Sequence, residues 1–288
     1  MKLKEKIFSK ILSKSNSYHF YKNYYEKNQK KKIVKWEDIF YRISKNDEVF
    51  NITMQSIQEN FSKKNVMKYC PVCGYKTPIF IAGGVKYRKN AMCPNCNSLE
   101  RHRFLSFFIN HKLNIKEKNI KLLHFAPEKS FYDIFENLEN IEYYTGDIEK
   151  SYYVKEIIDI QNIQYPDNFF NLIICNHVLE HVPDDKKAMK ELYRIIQPVS
   201  EDNGVIIMVP IDFNSQTTLE KEEYNTPELR EKYYGQHDHV RMYGMDFQDK
   251  LEEVGFNVEV FDCNSPFFKN SKKYGFNNDD VIYYCTKK

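Results

Sequence analysis

The chain has 288 residues, of which 42% are hydrophobic and 15% aromatic, enough to bury one full-sized α/β core and a smaller appendage. No uncharged stretch approaches the roughly 18 residues of a membrane-spanning helix and no apolar secretory segment opens the sequence, so we expect a cytoplasmic protein. The net charge is only +3, but residues 1–70 hold 16 Lys and Arg against 7 Asp and Glu. The N-terminal segment is therefore basic and differs in charge from the rest of the chain.

Residues 1–14 form the first predicted element. Their apolar side chains recur on one helical face and their lysines lie largely off it, which predicts a basic amphipathic helix. Such a helix can make a weak peripheral contact with an anionic membrane, or it can dock on this protein or on a second copy, and we favour docking. Residues 15–66 contain no Gly or Pro and include a second predicted helix at 36–43. We therefore expect a basic, mainly helical extension over residues 1–66.

Two CxxC pairs come next, separated by nineteen residues. Four thiolates in this arrangement can converge on one Zn²⁺ and leave no open coordination position, so the metal is expected to be structural. The expected ligands are Cys70, Cys73, Cys93 and Cys96. Between the pairs, a hairpin is predicted to turn at Gly83 and Gly84. A zinc ribbon and a connecting helix are thus predicted for residues 67–112.

The second cysteine pair leads directly into SLERHR, residues 98–103. One interpretation is that Ser98 caps the connecting helix and that solvated charges follow. The other is that Arg101 and Arg103 bind an anionic group of a substrate. The sequence leaves both open.

From residue 113 to residue 288, short β-rich runs alternate with helical patterns. The runs are LLHF, IEYYT, EIID, FNLIIC, GVIIMV, NVEVF and VIYYC. One helix is especially clear, since Ala188, Met189 and Leu192 share a face and Asp184 can cap its start. The alternation predicts a mostly parallel sheet with helices on both sides, and the last two runs suit an antiparallel closing hairpin.

Seven strands that end in such a hairpin are the layout of class I methyltransferases, which this part of the chain resembles. The resemblance extends to a type 11-like subgroup in which a CPxC ribbon, SLERHR, LHxAPE, TGDI, NHVLEH and DHVRxYG occur together. It implies an α/β fold with a seven-stranded Rossmann-like sheet behind the zinc ribbon and the helical extension. It also implies S-adenosyl-L-methionine as the cofactor.

The loop after the first run of this domain departs from the usual glycine-rich form. His124 stands where an acidic residue is expected, and Ala126, Glu128 and Ser130 stand where glycines would be. In the subgroup this loop is the normal form. The resemblance then implies that the backbone at Ala126 and Pro127 and the side chain of Glu128 meet the methionine end of the cofactor, with Glu128 pairing with its amino group.

The other expected cofactor contacts follow later runs. Asp147 can accept hydrogen bonds from both ribose hydroxyls, or it can simply cap a turn. By the resemblance, Asp159 accepts from the adenine amino group and Ile160 packs near the ring, whereas Asn171 replaces an Asp of the family. The predicted set is completed by Ile148, Asn176 and His177.

Histidines near the carboxyl end of the sheet are the candidates for proton removal. NHVLEH places His177 beside the sulfonium and His181 about one turn further on, where His181 either binds substrate or fills the helix. An insertion over residues 210–243 ends in GQHDHVRMYG. We expect His239 or His237 as the general base, Asp238 as its orienting group and Arg241 as an anion-binding residue. The alternative is a solvated loop without a role in catalysis. The spacing of these residues matches no recognised metal-binding pattern.

The resemblance implies methylation of an oxygen on a sugar, nucleotide sugar or surface-glycan precursor. RNA methylation is the first alternative, because the basic N-terminal segment suits phosphates, although the rest of the chain is acidic overall. A non-catalytic scaffold that has lost cofactor binding is the second, and the acidic residues Asp147 and Asp159 oppose it. The sequence leaves the acceptor and the oligomeric state open.

Overall fold

The computed structural model describes residues 2–13, 32–59, 67–113, 115–198, 203–268 and 271–287, which divide between two compact units. The N-terminal unit comprises Met1–Phe108 with Phe268–Asn278, and the sheet unit comprises Ile109–Phe267 with Asp279–Lys288. The predicted extension and ribbon therefore share one unit, which also takes in a segment that we assigned to the C-terminal domain. Residues 14–31 and 60–66 of the predicted extension lie outside the described residues.

Aromatic packing explains why the segment Phe268–Asn278 belongs to the N-terminal unit. The ring of Phe104 lies 4.3 Å from that of Phe268, and the ring of Phe107 lies 4.9 Å from that of Tyr274. The Arg103 guanidinium also donates to the Tyr274 carbonyl oxygen at 2.7 Å, across 171 residues of sequence. Hydrophobic periodicity reflects only residues that are close in the sequence. It therefore could not predict that the segment Phe268–Asn278 packs against the N-terminal unit.

Three helices build the start of the N-terminal unit: α1 spans Lys2–Leu12, α2 spans Trp36–Ile43 and α3 spans Asp47–Glu59. Phe8 and Leu12 of α1 are buried in one cluster with Trp36, and the Phe8 and Trp36 rings lie 5.9 Å apart. Phe8 and Leu12 thus pack inside their own unit, as the docked alternative predicts, whereas Leu3 and Ile7 of the same predicted face are exposed. Within the described residues, no helix combines the length and the apolar run needed to cross a bilayer.

Two small hairpins follow in the same unit. Strands β1 (Lys68–Tyr69) and β2 (Lys76–Thr77) pair antiparallel, as do β3 (Ile81–Gly83) and β4 (Arg88–Met92). The second hairpin turns where the sequence predicted it, and Gly84 has a φ of 96°, a left-handed conformation that glycine adopts without strain. Helix α4, Glu100–Phe108, comes next.

The sheet unit contains a seven-stranded sheet and four α-helices among its described residues. The strands are β5 (Ile120–Phe125), β6 (Ile141–Asp147), β7 (Glu156–Ile157), β8 (Leu172–Asn176), β9 (Gly204–Met208), β10 (Phe256–Asp262) and β11 (Val281–Lys287). The helices are α5 (Lys129–Phe135), α6 (Asp185–Ile195), α7 (Pro227–Tyr234) and α8 (Phe247–Val254).

The strand order is β10-β11-β9-β8-β5-β6-β7. Strands β7, β6, β5, β8 and β9 run parallel, and β11 pairs antiparallel with both β9 and β10. This confirms the predicted Rossmann-like sheet and its closing hairpin. Every residue of β8 and β9 is buried, as expected for central strands covered on both faces.

Helix α6 shows how the local sequence fixes the elements around the sheet. The Asp184 side chain accepts a hydrogen bond from Lys187 N at 2.9 Å and caps the helix, as predicted. Ala188, Met189 and Leu192 are buried in the core with residues of β8 and β9. The apolar stripe of α6 therefore faces the sheet and leaves its charged side to solvent.

Candidate active site

A cleft opens at the carboxyl edge of the sheet, where strands β5 and β8 lie side by side. The chain leaves β5 toward β6 and β7 on one side and leaves β8 toward β9 on the other, so the strand order reverses between them. Ligands bind at such switch points in open α/β sheets. The cleft has a volume of about 680 Å³, within the range of small-molecule sites. Its lining includes Ala126, Asp147, Ile148, Asp159, Ile160, His177, His181 and Asp238.

The two central loops of the cleft begin with strained residues. Ala126 follows β5 with a φ of 47°, and His177 follows β8 with a φ of 55°. Left-handed conformations cost non-glycine residues free energy and are retained where the surroundings impose them. Ala126 thus makes the sharp turn for which the usual loop of this fold employs glycine. The missing glycines of the APE loop do not close the cleft.

The Glu128 carboxylate is held by residues from two strands. One oxygen lies 3.0 Å from His124 Nε2, and the other accepts from Asn176 Nδ2 at 2.5 Å. His124 Nδ1 lies 3.0 Å from the Tyr143 hydroxyl. Burial and the charge of Glu128 raise the pKa of Tyr143, so its hydroxyl stays protonated and donates to Nδ1. His124 then donates Nε2–H to Glu128.

His124 is fully buried and lies behind the cleft wall, so its position fits a supporting role rather than direct cofactor contact. Asn176 is 4% exposed, and its Oδ1 has no hydrogen-bond partner among the described residues. A buried acceptor beside Glu128 provides a second oxygen for a cationic amino group. Asn176 and His124 thus both contact Glu128, and the cofactor contacts of Glu128 and Asn176 stay a prediction.

Asp147 and Asp159 reach the cleft from the ends of neighbouring strands. Asp147 is the last residue of β6, and one of its oxygens accepts from Glu149 N at 3.2 Å. Asp159 follows β7 and accepts from Gln161 N at 2.8 Å through Oδ1. These bonds hold each carboxylate in a turn but engage only one of its two oxygens within the described residues. Both side chains can therefore accept hydrogen bonds from a ligand.

Two imidazoles and one carboxylate line the opposite part of the cleft. His177 Nδ1 lies 3.0 Å from Glu180 Oε1, and Glu180 is fully buried. His181 Nδ1 lies 3.3 Å from Asp238 Oδ2. A buried carboxylate that accepts from Nδ1 fixes the tautomer of a histidine, and this leaves Nε2 unprotonated. His177 is thus oriented by a residue that the sequence analysis did not select.

The expected general base has to be revised. His239 is 2% exposed and does not line the cleft, and His237 is exposed outside it. Asp238 pairs with His181 instead of orienting either of them. Burial lowers the pKa of His239, and its Nδ1 lies 3.0 Å from the Tyr234 carbonyl oxygen, so it is neutral with its proton on Nδ1.

Arg241 has a structural role in place of the predicted anion binding. It is 1% exposed, and its guanidinium donates to the carbonyl oxygens of Leu179, Val182 and Pro183 and to both oxygens of Glu220. These five bonds use all five N–H donors of the side chain. Arg241 therefore fastens the insertion to the loop that carries His181 and has no donor left for a substrate.

The two arginines of SLERHR lie in the N-terminal unit. Arg103 is fully buried and donates to the carbonyl oxygens of Ala91, Ser98, Tyr274 and Gly275. Its guanidinium also lies 3.8 Å from the centre of the Phe80 ring. Arg103 thus holds its own unit together instead of binding an anion, whereas for Arg101 anion binding stays a prediction.

The four predicted metal ligands do converge. The Sγ atoms of Cys70, Cys73, Cys93 and Cys96 all lie within 4.8 Å of one another, and none forms a disulfide. Cys70 Sγ lies 3.7 Å from Cys96 Sγ, and Cys73 Sγ lies 3.9 Å from Cys93 Sγ. A tetrahedral zinc site with Zn–S bonds of about 2.3 Å places its sulfurs about 3.8 Å apart, so the cluster is compatible with a metal ion.

Ser98 lies against this cluster instead of capping α4. Its hydroxyl is 3.2 Å from both Cys70 Sγ and Cys96 Sγ. The start of α4 is capped by His102 Nδ1, which accepts from Leu99 N at 3.2 Å. The interpretation of Ser98 as the cap of the connecting helix was therefore wrong. Its position two residues after Cys96 was the feature of the sequence that could have predicted a contact with the thiolates.

Part of the sheet unit matches a known protein family. Residues 132–201 match the family described as Methyltransferase domain. The matched range includes Asp147, Asp159 and His177 and ends before the insertion that carries His181's partner Asp238. A search of curated proteins gives no match.

Solved structures of similar fold include the [4+2]-cyclase SpnF, with 13% identity over 64% of this chain and 80% of that chain and a TM-score of 0.46. A protein described as a methyltransferase from Bacillus halodurans C-125 has 15% identity over 64% of this chain and 97% of its own, with a TM-score of 0.41. A protein described as a sarcosine dimethylglycine methyltransferase from Galdieria sulphuraria has 10% identity over 68% and 87%, with a TM-score of 0.45.

The observed sheet and the matched residues define the class of the sheet unit. It has the Rossmann-like α/β fold of class I methyltransferases. A methyltransferase-domain sequence runs from α5 to just beyond α6 within it.

Proposed function

We propose that the protein is an S-adenosylmethionine-dependent methyltransferase that acts on an oxygen of a sugar, nucleotide sugar or surface-glycan precursor. The observation that carries the proposal is a single cleft that collects Asp147, Asp159 and His177 from three separate segments at the switch point. The glycan acceptor rests on the resemblance of the motifs alone.

The chemistry of the cleft fits the adenosine end of this cofactor. Asp147 offers acceptor oxygens for the two ribose hydroxyls, and Asp159 offers one for the adenine amino group. Ile148 is 65% exposed and Ile160 is buried at the cleft, so an adenine ring can cover apolar surface between them. Each polar group of adenosine that donates a hydrogen bond thus meets an acceptor.

The methionine end requires partners for an ammonium group, and the loop after β5 offers them. The Glu128 carboxylate is fixed by His124 and Asn176, and Asn176 Oδ1 needs a donor. We assign the ammonium group to these two side chains. Rigid acceptors favour binding because little side-chain entropy remains to be lost.

The bound cofactor supplies a methyl group on a sulfonium. Bound in the cleft, it would donate this methyl group to an acceptor oxygen by in-line displacement, with S-adenosylhomocysteine as the leaving group. We assign the acceptor proton to His177 Nε2, because the buried Glu180 holds the opposite side of the ring. His177 replaces His239 and His237 as the proposed base.

We further propose that Zn²⁺ occupies the four-cysteine cluster. Four thiolates complete a tetrahedral site, so this metal serves the fold of the N-terminal unit and leaves no position for a substrate. The Ser98 hydroxyl, 3.2 Å from Cys70 Sγ, offers one hydrogen bond to that thiolate.

Calorimetric titration with S-adenosylmethionine and with S-adenosylhomocysteine tests the cofactor assignment. We expect micromolar binding to the wild-type chain and a loss of at least tenfold in Asp147→Ala, since hydrogen bonds to a charged group contribute about 1.5–3 kcal/mol. Asp133→Asn, on the exposed side of α5, is the matched carboxylate control and should bind as the wild type. Absence of binding at millimolar ligand would favour the scaffold alternative.

A further inference from the structure

Three side chains at the cleft form a second group with metal-ligating atoms: Glu180 and His239 are buried, and His181 lines the cleft. Glu180 comes from the turn after β8, as does His181, and His239 comes from the insertion before α8. One ligand atom of each lies within 4.8 Å of the ligand atoms of the other two. The rings of His181 and His239 stand perpendicular, with their centres 4.7 Å apart.

Two atoms of this group are buried without a partner among the described residues. They are Glu180 Oε2 and His239 Nε2, on residues that are 0% and 2% exposed. A buried carboxylate oxygen and a buried ring nitrogen that lack hydrogen bonds destabilise the fold unless a ligand satisfies them. Since both are acceptors here, neither can satisfy the other, and the pair requires a cation or a donor between them.

The Nδ1 atom of each histidine has the kind of hydrogen-bond partner that is typical of metal-binding histidines. His239 Nδ1 lies 3.0 Å from the Tyr234 carbonyl oxygen, which only accepts, so Nδ1 is protonated and Nε2 carries a lone pair. His181 Nδ1 faces Asp238 Oδ2 at 3.3 Å. Metal-binding histidines almost always donate their other N–H to a carbonyl or carboxylate oxygen. Both acceptor types occur here.

We propose that Glu180, His181 and His239 bind a divalent transition-metal ion of the Zn²⁺ class. One carboxylate and two imidazoles are the ligands of metal sites that keep an open coordination position. His181 and Asp238 also line the cleft, so the open position faces the space where an acceptor binds. This site is separate from the four-cysteine cluster, which lies in the other unit.

The metal also indicates which class of acceptor the cleft binds. This part of the inference rests on the proposed function. An ion at an open position binds an acceptor through oxygen, such as a vicinal diol or a phosphate of a nucleotide sugar, and lowers the pKa of a coordinated hydroxyl. Glu180 links the two sites, because Oε1 holds His177 and Oε2 faces the metal. His177 then receives the proton of an oxygen that the ion already positions.

Zinc stoichiometry tests the site without cofactor, acceptor or turnover. The full-length chain is equilibrated with Zn²⁺, desalted and analysed by inductively coupled plasma mass spectrometry. We expect two zinc ions per wild-type chain, and one in Glu180→Gln and in His239→Gln, each with an unchanged circular dichroism spectrum. His237→Ala removes an exposed histidine two residues from the cluster and should keep two ions.

One ion in the wild-type chain would overturn the proposal and would mean that water or a proton satisfies the two buried atoms. An equal loss in His237→Ala would overturn it as well, because it would show unspecific binding by the insertion. If Glu180→Gln fails to fold, His239→Gln carries the test. The calorimetric titration with S-adenosylmethionine reports on the proposed function separately, since Asp147 and Asp159 belong to neither metal cluster.

Discussion

Ala126 and His177 occupy equivalent positions, each directly after one of the neighbouring parallel strands β5 and β8, and both have a left-handed backbone. Ala126 N donates to Gly146 O at 3.0 Å, and His177 N donates to Met208 O at 2.8 Å. Each amide is thus tied to the adjacent strand on its outer side. The two tight turns open the carboxyl edge of the sheet between them, which creates the cleft.

The strain at Ala126 can be measured by changing its side chain. Ala126→Val adds a β-branched side chain at a φ of 47° and should lower the free energy of unfolding by about 1–2 kcal/mol. Ala126→Gly should stay within about 1 kcal/mol of the wild type, because relief of strain offsets the added freedom of the unfolded chain. Urea denaturation distinguishes the two, and equal effects would contradict a strained turn.

The support of Glu128 by His124 predicts a cofactor effect from a residue that does not line the cleft. His124→Leu removes the Nε2 donor, so Glu128 loses one of its hydrogen bonds and becomes less well placed for the ammonium group. We expect about tenfold weaker S-adenosylmethionine binding by calorimetry, which corresponds to about 1.4 kcal/mol. His111→Leu, an exposed histidine in the same unit, is the control. Unchanged affinity in His124→Leu would remove His124 from the site.

Periodicity and caps predicted the sheet unit well because they are local properties. The apolar stripe of α6 lies within the eleven residues of the helix, and its cap, Asp184, is the residue directly before them. The cysteine cluster was also predictable, because the two pairs carry their own spacing. Asp147 was selected at the end of a strand and Asp159 by the family resemblance; both line the cleft, and their contacts with the cofactor stay a prediction.

Roles that depend on distant partners were not predictable. Arg241 was assigned to a substrate because it belongs to a dense cluster of titratable residues, but its acceptors are Glu220, 21 residues earlier, and three carbonyl groups 58–62 residues earlier. Glu180 was not selected as a site residue, and only the fold reveals that it is fully buried beside His177. The insertion pairs Asp238 with His181, which no spacing rule links.

The network around Arg241 predicts a large loss of stability on a conservative change. Arg241→Lys retains the charge but replaces five directed donors with three on a single atom, so several carbonyl oxygens lose their partner. Truncating a buried charged network typically costs about 3–5 kcal/mol. Arg88→Lys, at a half-exposed arginine that pairs with the buried Glu100, should lower the free energy of unfolding by only about 1 kcal/mol, because a lysine can still pair with the carboxylate. A similar small change in Arg241→Lys would contradict the structural role.

Removal of zinc should act on the N-terminal unit. A strong chelator is expected to release the ion from the four cysteines and to destabilise the ribbon hairpins and α4, because the metal is the main link between the two cysteine pairs. Limited proteolysis would then cut residues 67–108 while the seven-stranded sheet stays protected. Ser98→Ala should release zinc faster than the wild type, since the Cys70 thiolate loses the hydrogen bond from the serine hydroxyl. Proteolysis that starts in the sheet would argue against a structural metal in the N-terminal unit.

The loop that carries Asp159 depends on an acidic residue and therefore on pH. Glu191 accepts from Ile163 N at 2.8 Å and from two nitrogens of Arg194, and its pKa is lowered below 4.5, first by the hydrogen bond from Arg194. The folded state thus holds this proton less tightly than the unfolded state, so the stabilisation is complete above pH 4.5 and is lost as the pH falls through the folded pKa. Glu191→Gln should lower the free energy of unfolding at pH 7 by about 1 kcal/mol. The difference from the wild type should shrink in denaturation curves recorded below pH 4.5, and a difference that stays constant would show that the charge of Glu191 contributes nothing.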